Sequence, residues 1–139
     1  GLRTLKLRMA HFDAAGREMA TWLAAQPQVK RVLHPAFPDC PGHEHWKRDF
    51  TGAAGLFAVV FHPCSDAQIA AFVDALHHFG IGVSWGGYES LVLPVTPQRS
   101  AGTWAEDGQL VRFNIGLEET ASLKADLPAA LPLLNPASE

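Results

Sequence analysis

Cysteine is scarce: Cys40 and Cys64 are the only two, too few for a disulfide framework, and a reducing compartment, the cytoplasm, is the simpler setting. Charge of one sign is scarce too. A formal net charge of -3 leaves no basic surface for nucleic acid, and no run of like charge marks a tail. Nothing approaches the ~18 consecutive apolar residues of a membrane-crossing helix. Residues 1–8 carry Arg3, Lys6 and Arg8 with no uncharged apolar run behind them, so they do not read as a signal peptide. They also begin without methionine, which reads as a piece of a longer polypeptide. Internal repeats and low-complexity tracts are absent. What remains, 139 residues with 47% hydrophobic and 18% charged, fits one domain with a modest core.

Glycine, by contrast, is concentrated. Gly80, Gly82, Gly86 and Gly87 crowd one stretch, where positive φ and close approach of a ligand or backbone become possible. Ser84 and Trp85 sit between them on a bent backbone. Downstream, Arg112 stands between Val111 and Phe113 in a β-favouring run. Two readings of that arginine stay open. It is either an outward or salt-bridged side chain on an edge strand, or a guanidinium awaiting a carboxylate or phosphate, whose geometry its planar fork matches.

Taken in order, residues 2–26 predict a long amphipathic helix with Leu5, Met9, Phe12, Gly16, Met19 and Leu23 as one stripe, closed by Pro27. Residues 29–34 predict a short strand ended by Pro35. The Pro-, Gly- and His-rich segment 35–51 predicts loop or short helical turns. Within it, Cys40, His43, Glu44 and His45 invite a metal, but no second cluster at zinc-ligand spacing accompanies them, and surface or interdomain contact is preferred. The apolar run 55–61 predicts a central strand buried on both faces or nearly so. Ser65 and Gln68 form a capping box opening a helix with Ile69, Phe72, Val73 and Leu76 buried, His77 and His78 in its last turn facing the helix dipole, and Gly80 as the left-handed terminator. Strands follow at 89–93 and 110–117, separated by a long polar loop at 94–107 that is either a partner-contacting flap or mobile. A last helix runs from about 119 to 127, with Pro128 breaking or kinking it before 131–134.

This order predicts an α+β two-layer sandwich, a small, mainly antiparallel sheet covered on one face by helices, with Arg112 on the uncovered side. The organisation is a single domain: helix 1–26, sandwich 27–134 and tail 135–139, the tail reading as a natural end.

The segments 31–35, 40–43, 46–50, 80–91 with its Ser84-Trp-Gly-Gly-Tyr-Glu-Ser-Leu91 run, and 110–118 together resemble, in order, the C-terminal domain of cystathionine β-lyases, members of the pyridoxal-phosphate-dependent cysteine and methionine metabolism family. The resemblance implies the small domain of a fold-type I enzyme that cleaves cystathionine to homocysteine, pyruvate and ammonia. It implies Arg112 as the ligand of the substrate α-carboxylate, with Ser84 and Trp85 beside it. It also implies pyridoxal 5'-phosphate held by an N-terminal domain, a small sulfur amino acid as substrate, and a homotetramer when full length. None of Lys6, Lys30, Lys47 and Lys124 sits in the family's Schiff-base motif, so catalytic and cofactor-binding residues are expected outside this chain, which alone would be inactive. The position before Ser84 helps set substrate choice in the family; Val83 departs from the β-lyase pattern and leaves the preferred sulfur amino acid, or a γ-lyase activity, open. Two other readings stand beside this one: a self-standing amino-acid-binding regulatory domain, and an assembly element using the 2–26 stripe and the 94–107 loop.

Overall fold

A computed structural model describes residues 1–135, so residues 136–139 of the expected tail lie outside the described part. After a 3-10 turn (Leu2–Thr4), the chain forms α1 (Leu5–Ala24), β1 (Val29–Leu33), α2 (His43–Asp49), β2 (Leu56–Phe61), α3 (Asp66–Asp74), β3 (Gly80–Ile81), β4 (Leu91–Val95), β5 (Leu110–Asn114) and α4 (Thr120–Ala130), closing on a 3-10 turn at Leu131–Leu134. The sheet runs β1-β2-β5-β4-β3. Three pairings are antiparallel, and the short edge strand β3 joins β4 in parallel. The architecture is α+β, with β2 an interior strand paired on both sides and β5 in the middle of the sheet.

Alternation along the strands sorts the two faces. Phe57, Val59, Phe61, Val92, Val111 and Phe113 point into one buried cluster with Met19 and Leu23 of α1, Phe72 of α3 and Leu127 of α4. The opposite face carries Leu56, Ala58, Leu93 and Arg112. On it Val60 is fully buried while Leu56 and Ala58 are half-buried, so β2 is nearly covered on both faces. The helix layer lies close to the sheet: a Cβ on Gly16 of α1 would come within 2.9 Å of the Ala54 carbonyl. Only the latter part of the α1 stripe is buried, from Phe12 to Leu23, while Leu5 and Met9 remain exposed at 40% and 39%.

Two terminations differ from expectation. The capping box opens α3 as its sequence dictates, with Ser65 Oγ accepting from Gln68 N–H at 3.2 Å and Gln68 Oε1 accepting from Ser65 N–H at 2.9 Å. The helix nevertheless stops at Asp74, with Ala75 as a right-handed cap, and Gly80 lies in β3 without positive φ. His77 and His78 therefore lie past the helix, not in its last turn. Their backbone N–H groups donate to the buried Asp126 carboxylate of α4 at 2.8–3.0 Å, which satisfies this turn without a left-handed glycine. α4, in turn, continues through Pro128. That ring sits on the exposed side of the helix, where the carbonyl it leaves unbonded can be hydrated.

The loop after β4 is tied down at its far end: Glu106 pairs with Lys30 and Arg31 at 3.2 and 3.1 Å, and Asp107 with Lys30. In the 35–51 segment, the short helix α2 brings Trp46 under the Arg17 guanidinium, 5.4 Å from the ring centre.

His34, just after β1, is fully buried against the rings of Phe37 and Phe57, 5.0 and 5.9 Å away. Its Nδ1 accepts from Ala36 N–H, and Nε2 has no partner. Burial, then the positive charge of Arg17, push its pKa down from 6.5 to about 4, against a smaller opposing pull from Asp13. A folded-state value below the unfolded one means that charging His34 opposes folding. Stability should thus be full above pH 6.5 and decline as pH falls towards 4, by roughly 3 kcal/mol in all. Denaturant midpoints between pH 7 and 4.5 should fall in the wild-type chain and stay flatter in His34→Gln; equal slopes would contradict this.

Candidate functional site

Arg112 occupies the middle of the central strand, opposite Ala58 on β2 and Leu93 on β4, on the face away from the helices. Its Nη2 donates towards three successive backbone carbonyls of the glycine-rich bend: Gly82 at 3.2 Å, Val83 at 2.8 Å and Ser84 at 3.1 Å. Among the described residues no carboxylate pairs with it, and its Nε and Nη1 have no partner. The guanidinium is thus parked through Nη2, the nitrogen common to both bidentate edges of its fork, and it meets an anion with two nitrogens by releasing these carbonyls.

Two residues further along the same face, Asn114 holds the other part of the bend. Its Oδ1 accepts from Gly86 N–H at 2.9 Å, and its Nδ2 donates to Glu89 O at 3.1 Å. The shoulder of the bend is fixed by Glu118, which accepts from Ser90 N–H and Ser90 Oγ at 2.9 and 2.7 Å, while Ser90 Oγ accepts from Gly116 N–H. Gly86 takes φ 76°, a conformation glycine adopts without strain.

The structure brings Ser84 and Arg112 together through the Ser84 carbonyl. Trp85 follows on the outer side of the bend, 62% exposed, beside Val83 and Tyr88 at 77% and 70%. Such a run of exposed apolar side chains beside a half-buried cation is the profile of a surface that meets another molecule or segment. Sequence reasoning missed Asn114, Ser90 and Glu118. The available signal was the Arg-x-Asn spacing in a strand, which places both polar side chains on one face. Away from this site, a broad, mainly apolar groove of about 1010 Å³ runs between α1, α2 and residues 50–56, lined by Met9, Trp46, Phe50 and Leu56 among others. His43 Nδ1 lies 2.8 Å from the Pro35 carbonyl, and no group of three or more metal-ligating side chains gathers among the described residues. No described helix is long and apolar enough to cross a membrane.

Compared with known proteins, residues 1–132 match the family described as Cys/Met metabolism PLP-dependent enzyme. The chain belongs to that family. It is 45% identical over 135 residues to a cystathionine beta-lyase of Salmonella typhimurium and 44% identical over 135 residues to cystathionine beta-lyase MetC of Escherichia coli, covering 93% of this chain in both cases. Among solved structures, cystathionine gamma synthase from Xanthomonas oryzae pv. oryzae in complex with cystathionine superimposes with a TM-score of 0.80 at 30% identity, over 96% of this chain and 36% of that one. The chain spans about a third of the length of the curated relatives it matches, 34% in each of those two lyases.

Pyridoxal phosphate, the cofactor of the family, supplies an electron sink when bound. The lysines of this chain do not fit its attachment, which needs an amine that loses its proton readily in a desolvated site. Lys6 and Lys47 are exposed, and Lys124 pairs with Glu18. Lys30 is held in its charged form, its pKa raised by Asp107 and then Glu106.

Proposed function

We propose that this chain is the C-terminal, substrate-side domain of a pyridoxal-phosphate-dependent carbon–sulfur β-lyase. The whole enzyme would cleave cystathionine with one water to homocysteine, pyruvate and ammonia, and the rest of the polypeptide would hold the cofactor. The observation that carries this reading is the Arg112 fork: one nitrogen bound to the 82–84 carbonyls, and Nε and Nη1 free on the open face. In the proposed role the guanidinium turns from those carbonyls to take the substrate α-carboxylate, with Ser84 and Trp85 beside it. Fixing that carboxylate fixes the direction of the Cα–H bond, and orientation of this kind contributes to rate because the reacting groups start near their reactive geometry. Free cysteines at Cys40 and Cys64 support a cytoplasmic setting, and a homotetramer is the expected assembly.

A γ-lyase or other activity within the family is the nearer alternative, because Val83 departs from the β-lyase pattern beside Ser84. The more distant one is a self-standing amino-acid sensor, for which Arg112 would serve equally well. Calorimetry on the 139-residue chain with cystathionine, cysteine and methionine tests it. The lyase reading expects no heat of binding at micromolar ligand, since the part of the polypeptide that would hold the cofactor lies elsewhere. Micromolar binding without cofactor would favour the sensor.

A further inference from the structure

We infer that Asn114 is a positioning residue that sets the shape of the 82–90 bend, and so the place of Ser84 and Trp85 against a carboxylate on Arg112. The inference rests on the lyase reading above. Asparagine is disfavoured in strands, and Asn114 sits in register between Leu56 and Leu91 on the central strand, 2% exposed. A buried amide in such a place costs free energy unless its groups are bonded. Both of its polar atoms are used, and both are used on the bend, at Gly86 and at Glu89.

Packing holds the ends of this bend, where Gly82 lies against Leu91 and Gly116 against Tyr88 and Glu89, but not its middle. A Cβ on Gly86 or Gly87 would meet nothing within 4 Å, and Val83, Trp85 and Tyr88 are all exposed. Hydrogen bonds hold it instead, and they divide by residue. Arg112 takes 82–84, Asn114 takes 86 and 89, the Leu117 N–H takes the Tyr88 carbonyl at 2.8 Å, and Glu118 takes 90, so between 85 and 87 Asn114 holds the bend. When Arg112 turns towards a substrate carboxylate, Asn114 is the anchor in the middle of the bend that the ligand does not compete for. The Trp85 backbone lies between these two clamps, so its direction depends on both.

Amide hydrogen exchange on the 139-residue chain, with cystathionine kinetics on the full-length polypeptide, tests this. In Asn114→Ala, exchange at Gly86 should quicken tenfold or more, while the sheet amides of Val59 and Val111 keep their protection. Asn114→Asp retains an acceptor and should keep Gly86 protected. In the full-length enzyme, Asn114→Ala should raise KM at least fivefold, more than it lowers kcat, with cofactor absorbance unchanged. Unchanged Gly86 exchange in Asn114→Ala, or an unchanged KM in an active enzyme, would overturn the inference. So would loss of sheet protection in both variants, which would make Asn114 a core residue only. A wild-type polypeptide without lyase activity would bring down the lyase reading and the positioning role with it; Gly86 exchange would still report whether the clamp exists.

Discussion

On the proposed β-lyase reading, Arg112→Ala in the full-length polypeptide is expected to lower kcat/KM for cystathionine on the order of ten- to a hundredfold or more, from roughly 1.5–3 kcal/mol of lost charged hydrogen bonding. Two losses combine in that variant. The substrate carboxylate loses its partner, and the carbonyls of Gly82, Val83 and Ser84 lose the donor that gathers them. Arg112→Lys separates the two: an ammonium can still meet the 82–84 carbonyls but offers the carboxylate no planar fork. It should therefore keep the stability of the wild-type chain, read as the urea midpoint, and recover little of kcat/KM. Steady-state kinetics with wild-type values in either variant would remove Arg112 from the substrate site.

Phe113→Ala carries the largest expected effect on stability. Phe113 is fully buried in the central strand, stacked on Phe57 at 5.7 Å and edge-on to Phe79 at 5.6 Å. Removing a ring there forfeits its burial and opens a cavity between sheet and helices, at about 3–5 kcal/mol. A domain of this size has roughly 5–15 kcal/mol in all. Urea unfolding of the 139-residue chain should show the loss as a lower midpoint with little change in slope. A change below about 1 kcal/mol would mean that the ring is not packed as described. Because Arg112 and Asn114 flank Phe113 and point the other way, the site depends on this packing for the position of its strand.

Where local chemistry decides the structure, the sequence was enough. The Ser65 and Gln68 capping box, the α1 stripe from Phe12 to Leu23, and the alternation around Arg112 all appear as the residues imply. Where a distant partner decides it, the sequence misleads. Gly80 looks like a helix terminator, but the turn after α3 is closed by Asp126, a carboxylate 48 residues away from His78 in the chain. Strand β3 has two residues and owes its existence to β4, so no period could mark it. Pro128 reads as a breaker because local sequence does not say which side of a helix faces water. The candidate site was half legible. A lone arginine and a glycine-rich bend stand out, whereas the three anchors at Asn114, Ser90 and Glu118 become visible only once the bend is seen lying across the end of β5.

Product analysis on the full-length polypeptide that carries this chain is the most direct test. With cystathionine as substrate, β-cleavage gives homocysteine and pyruvate in equal amounts with ammonia, and that is the expected result. Cysteine with 2-oxobutyrate, or no turnover by a cofactor-loaded polypeptide, would contradict it.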